Sequence, residues 1–123
     1  MSVIEGHDEI ILKGGAVIAE VHGGKIKSSR LSPKDLGLKK SESQFIRGGD
    51  ARENARILSD LLQGKMPDLE EVVVANAALA IFAAEKIKSP KASKTDAVIK
   101  ARESISSGRA RQKLEQLIEG SKS

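Results

Sequence analysis

Gly48-Gly49-Asp50-Ala51-Arg52-Glu53-Asn54-Ala55-Arg56-Ile57-Leu58 reads as the start of an amphipathic helix. Asp50 can cap it, and Glu53, three residues on, has the spacing of a capping box. Ala51, Ala55, Leu58 and Leu62 then fall on one stripe, with Ile57 and Leu61 beside it. Gln63-Gly64-Lys65 closes the helix, because a glycine just past the last turn takes the left-handed conformation that other residues resist. Glycines ahead of a helix also make anion sites. Here Asp50 puts a carboxylate where a phosphate would sit, so Gly48-Gly49 is read as a structural approach to the helix.

Downstream, Pro67-Asp68 opens a second helix, Leu69 to Ile87. From Val72 to Ala84 every residue except Asn76 is apolar. This helix is expected to be buried on nearly all sides, its alanines letting neighbouring backbones come close. Asn76 can touch a ligand or, more plainly, bond a nearby backbone carbonyl. Ser89-Pro90-Lys91 then breaks the chain. Ala97, Val98, Ala101 and Ile105 recur at helical spacing between Thr95 and Ser106. Ser107-Gly108 interrupts or bends that helix. Ala110, Leu114, Leu117 and Ile118 mark a last amphipathic one.

Upstream of the quoted stretch the first 31 residues read as strands. Ile10-Ile11-Leu12 is a short apolar run closed by Gly14-Gly15. Ala16 to Val21 is rich in β-branched residues, and Lys25 to Leu31 is polar enough for an edge strand. Between them His22-Gly23-Gly24-Lys25 is a turn, which makes the pair an antiparallel hairpin. Val3-Ile4 has the look of the tip of a further strand. Ser32-Pro33-Lys34-Asp35-Leu36-Gly37 is one helical turn, with Ser32 as cap, Pro33 at its first position and Gly37 ending it. The expected organisation is a single partial α/β domain: strands over 1–31, a turn and connection over 32–49, and three to four packed helices over 50–119.

The chain has 123 residues, 39% apolar and 2% aromatic, with Phe45 and Phe82 its only aromatic residues. The core must come from Ala, Val, Ile and Leu. There is no cysteine, which excludes disulfides, thiolate metal sites and a cysteine nucleophile. The net charge of +4 comes from 21 basic and 17 acidic residues interleaved along the chain. With no aromatic residue among them to stack a base, a solvated surface is the reading rather than a nucleic-acid interface. No apolar run reaches the ~18 residues of a membrane span, and the first residues lack a signal-peptide pattern; a cytoplasmic location is expected. No catalytic triad, zinc pattern or dinucleotide fingerprint is present. Two or three short strands cannot cover so much apolar helix, so the chain is expected to pack against something larger.

One acid cluster lies beside a glycine, Gly6-His7-Asp8-Glu9. Adjacent carboxylates at a strand end can hold Mg²⁺, which prefers hard oxygen donors; they are also common as a plain surface pair. His7 can be a metal ligand or, more plainly, an exposed turn histidine, and His22 is assigned no role.

Gly48 to Leu62, Val74 to Ala84, Ala101 to Gly108 and Lys113-Leu114-Glu115 together resemble the carboxyl-terminal part of anthranilate phosphoribosyltransferase, of glycosyltransferase family 3. The resemblance runs from about Gly6 to Ile118. It implies the far strands and closing helices of a large α/β domain with a mixed sheet, joined in the whole enzyme to a small helical domain. It implies transfer of phosphoribose from phosphoribosyl pyrophosphate to anthranilate, in tryptophan biosynthesis. The family carries a Gly-Leu-Asp-Glu motif whose carboxylates bind the Mg²⁺ that accompanies the pyrophosphate. Asp8 and Glu9 match those positions and Ile10 the apolar one after them; His7 replaces the leucine. The family's phosphate loop, Gly-Thr-Gly-Gly-Asp, is not in this chain. The chain alone is therefore expected to be inactive, with the missing amino-terminal part, or a second copy, as its partner. The alternative is a non-catalytic interaction module that keeps the fold. Asn54 has no role assigned by these motifs.

Overall fold

In this computed structural model residues 2–3, 15–39 and 48–122 are described. Asp8 and Glu9, with Gly6, His7, the Ile10-Ile11-Leu12 run and Phe45-Ile46, lie outside the described residues. Among the described residues the order is β1 (Ser2–Val3), β2 (Ala16–His22), β3 (Lys25–Leu31), a 3-10 helix (Pro33–Leu36), then α1 (Ala51–Leu62), α2 (Pro67–Lys88), α3 (Lys94–Ser106) and α4 (Arg109–Ser121).

The hairpin forms as its turn dictates. Gly23 and Gly24 both have positive φ, 57° and 75°, the geometry of a two-residue turn whose twist matches that of the strands. His22 pairs with Lys25, and the register runs back to Ala16 opposite Leu31. β1 pairs antiparallel on the other side of β2, Ser2 opposite Val17. The sheet order is thus β1-β2-β3, and polar β3 is an edge as expected. Strand alternation sends Ala16 and Ile18 inward. Val21 and Ile26, paired across the strands beside the turn, stay 73% and 72% exposed.

The Ser32–Gly37 turn is built as its residues require. Ser32 Oγ accepts from the Asp35 N–H, and the Asp35 carboxylate accepts from the Ser32 N–H at 2.8 Å, completing a capping box. Gly37 closes it in the left-handed region, φ 72°. Leu36, fully buried, anchors this turn in the core.

The core joins Ala16, Ile18, Leu31, Leu36 and Leu38 to Val74, Ala75, Ala78 and Phe82 of α2 and to Ala97, Val98 and Ala101 of α3. Alanine dominates the α2–α3 contact, which lets the two helices lie close. α3 is capped by Ser93, whose Oγ accepts from the Asp96 N–H. Gly108, φ 83°, ends α3 and starts α4, so the interruption expected at Ser107-Gly108 is a complete break and the helices number four among the described residues.

Two expectations fail. The α1 stripe was placed on Ala51, Ala55, Leu58 and Leu62. Instead Leu61 is the buried residue, Ile57 and Leu62 are half-buried, and Ala51, Ala55 and Leu58 are exposed. The helix's neighbours are α2 and α4. Nor is α2 buried on nearly all sides. Val74, Ala75, Ala78 and Phe82 are buried, whereas Val73, Ala80, Ala83, Ala84 and Ile87 are exposed. β2, β3 and α3 cover one face of this helix and α1 touches it, but the arc of Val73, Ala80, Ala83, Ala84 and Ile87 stays exposed.

Candidate functional site

Asp8 and Glu9, the residues expected to hold a metal, have no described geometry. Among the described residues no three His, Asp or Glu side chains gather closely enough to hold a metal ion.

A cluster of charge lies where β2, α2 and α3 meet. Alternation turns Glu20 to the same side of β2 as Ile18, toward the helices. Its carboxylate takes a 2.7 Å hydrogen bond from Lys86 Nζ and lies 3.7 Å from Lys94 Nζ. Both ammonium groups also stand over the Phe82 ring, 5.3 Å and 4.5 Å from its centroid. The Lys86 hydrogen bond, aided by the charges of Lys86, Lys94 and Lys27, holds the Glu20 carboxyl below its usual range against the opposing effect of burial. The hollow beside it, about 530 Å³, is lined by Lys27, Arg30, Lys86 and Lys94 with Glu20 and Asp35. Positive charge is in excess, but two of the four cations are already committed to Glu20 and Phe82. The cluster ties strand to helices across 66 positions of sequence, a role no local motif announces.

The glycine-led start of α1 is structural, as expected. Asp50 Oδ1 accepts from the Glu53 N–H at 2.9 Å, so the helix supplies its own anion. Asn54 adds what the motif reading missed. Its Oδ1 accepts from the Gly49 N–H at 2.9 Å and its Nδ2 donates to the Gly49 carbonyl at 3.1 Å. A Cβ on Gly48 would come within 2.8 Å of Asn54 Oδ1. Glycine at 48 thus leaves room for the amide that clamps 49. The signal was present in the sequence, an asparagine five residues after a glycine pair, but the clamp requires the helix to be in place first.

Asn76 Nδ2 donates to the Val72 carbonyl one turn earlier, at 2.9 Å. The plainer of its two readings therefore has a bond to support it. His22 is exposed at the end of β2.

Other ion pairs join helices rather than build a site. Arg102 on α3 grips Glu71 on α2 with two hydrogen bonds, 2.5 and 3.2 Å, which raises the guanidinium pKa further. Lys100 on α3 donates to Glu85 on α2, and that bond raises the pKa of its ammonium. Asp35 is held below the usual range, first by the Ser32 backbone N–H.

Residues 1–111 match the family model described as "Glycosyl transferase family, a/b domain". The anthranilate phosphoribosyltransferase of Petrotoga mobilis is 40% identical over 94% of this chain and 32% of its own length. That of Anaeromyxobacter sp. strain K is 40% identical over 93% of this chain and 33% of its own. That of Symbiobacterium thermophilum is 36% identical, over 94% and 33%. The chain thus spans about a third of the length of the curated relatives it matches. With hairpin, capped turn and the first three helices in place under the match, the chain belongs to the glycosyl transferase family, within its α/β domain.

Proposed function

We propose that this chain is the carboxyl-terminal part of an anthranilate phosphoribosyltransferase, working with the remaining part to move phosphoribose from phosphoribosyl pyrophosphate to the anthranilate amine in tryptophan biosynthesis. The observation that carries the reading is the 40% identity to an enzyme of that name across 94% of the chain. A cytoplasmic setting goes with such chemistry; among the described residues no helix is long and apolar enough to cross a membrane.

The chain's own chemical contribution would be Asp8 and Glu9. Two carboxylates are a donor set that fits Mg²⁺, which takes its other oxygens from water and substrate phosphates. When bound, Mg²⁺ would offset the negative charge that grows on the departing pyrophosphate. The hairpin, the Ser32–Gly37 turn and the helices would hold the domain's far side in shape. The upstream phosphate loop expected of the family is absent from this sequence, so the chain by itself would not turn over.

The experiment is an anthranilate-consumption assay with phosphoribosyl pyrophosphate and Mg²⁺. It is run on the chain alone and on the chain co-expressed with the portion of the Petrotoga mobilis relative outside the matched region. No turnover alone and turnover in the complex is the expected pattern. A complex that forms and stays inert would count against the assigned reaction.

A further inference from the structure

The helix α2 is apolar on two faces, one of them, Val74, Ala75, Ala78 and Phe82, buried in the core. Three of its charged residues pair within this chain: Glu71 bonds Arg102, Glu85 bonds Lys100 and Lys86 bonds Glu20; Lys88, in the last turn, is exposed. Its apolar residues Val73, Ala80, Ala83, Ala84 and Ile87 point to solvent. At about 100° per residue, these five fall within roughly one 100° arc. Between Val73 and Ile87 that arc contains no charged residue, only Asn76 besides. The apolar surface continues past the helix end. Ile87, 83% exposed, shares the rim of a groove of about 310 Å³ with Val21, 73% exposed, and Phe82 and Leu79 lie deeper in it. A helix that ends its life in water places charge outward. This one leaves an arc of its exposed side apolar, as a helix inside a larger domain does.

We propose that this face of α2, Val73-Ala80-Ala83-Ala84-Ile87, is the surface on which the remaining portion of the family's α/β domain docks. The proposal rests on the reading above that this chain works as part of a longer unit. Two observations choose that occupant over a second copy. The relatives are about three times as long as the matched region, so about two thirds of a relative's length lies outside it. The centre of the face is alanine, and each alanine offers a single methyl. Two such faces meeting would bury little apolar area, whereas larger side chains from a different element would fill the space close to the α2 backbone.

The chain has no cysteine, so a single introduced thiol reports its own position. Ala80→Cys marks the face and Lys113→Cys, on exposed α4, is the control. Each variant is co-expressed with the portion of the Petrotoga mobilis relative outside the matched region, and labelling by a maleimide is timed on the free chain and on the complex. The expected result is a complex in which the thiol at 80 is slowed by about tenfold or more while that at 113 is little changed. Ala80→Glu with Ala84→Glu should leave the free chain's melting temperature within the small range of surface changes and abolish the complex. Four results would overturn the proposal: no complex with the unsubstituted chain, a complex with the thiol at 80 labelled at the free rate, a complex that survives the double glutamate change, or protection at 80 that appears in the chain alone as its concentration rises. The last would identify a second copy as the occupant. Turnover is read separately. A protected but inert complex leaves the docking face standing and removes the assigned reaction; an active complex with the face unprotected does the reverse.

Discussion

Glu20 is a residue whose protonation is coupled to the fold. Its folded carboxyl sits below the unperturbed 4.5, chiefly through the Lys86 hydrogen bond. A depressed acid stabilises the fold above its unfolded pKa and ceases to do so as pH falls through its folded pKa. Glu20→Gln is therefore expected to melt lower than the wild type at neutral pH, by the ~0.5–1 kcal/mol of a partly exposed pair. The gap should close as pH is taken below 4.5. Parallel thermal melts across pH measure it, and a gap that persists unchanged into acid would assign the loss to packing. Asp8 and Glu9 call for a different measurement. In the complete assembly Asp8→Asn with Glu9→Gln should cut turnover by at least the about 10–100-fold that loss of a metal site's outer partners costs, and leave folding intact, since two like charges adjacent in sequence are removed. Unchanged turnover would make them a surface pair. Lost activity that tracks lost folded protein on circular dichroism would make them structural.

At the scale of the element, starts and stops were the legible part. Gly23-Gly24, Ser32 to Gly37, Asp50 and Gly64 act through bonds within a few residues of themselves, so local sequence suffices. Gly64 shows it: its N–H reaches the Leu61 carbonyl and that of Lys65 reaches the Asp60 carbonyl, the paired closure of a Schellman motif. Which face a helix buries is not local. α1 turned Leu61 inward rather than the Ala51-Ala55-Leu58 stripe, because the choice belongs to α2 and α4. α2 read as buried all round because composition gives the total apolar surface and not its cover. The Glu20–Lys86–Lys94 tie was illegible for the same reason, its members being far apart in sequence. Asn54 lies between the cases, a near neighbour of Gly49 that bonds it only once α1 has formed. Asn54→Ala should cost about 1 kcal/mol, the two exposed hydrogen bonds to Gly49 being lost. Gly48→Ala should cost part of that, because its methyl pushes the same amide aside. Urea melts measure both, and an Asn54→Ala protein as stable as the wild type would show that the clamp contributes nothing.

For the molecule as a whole, the exposed faces set its behaviour in solution. Val21, Ile26, Val73, Ile87 and Leu117 together expose more large apolar surface than a short chain with a small core readily tolerates. The free chain is expected to self-associate or to bind a hydrophobic dye, and light scattering with dye fluorescence reads both. A compact monomer that leaves the dye dark would contradict this. α4 has a consequence of its own. It buries no residue, and Gly108 severs it from α3. The family match ends at 111, inside its first turn. A segment held by so little can open without the rest, so cooperativity should stop at Gly108. In deuterium exchange the amides of α4 should fill early, while those around Val74, Ala78 and Ala97 wait for global unfolding. The last helix would thus be a foldon of low rank, ordered in the resting protein yet outside the unit that melts as one.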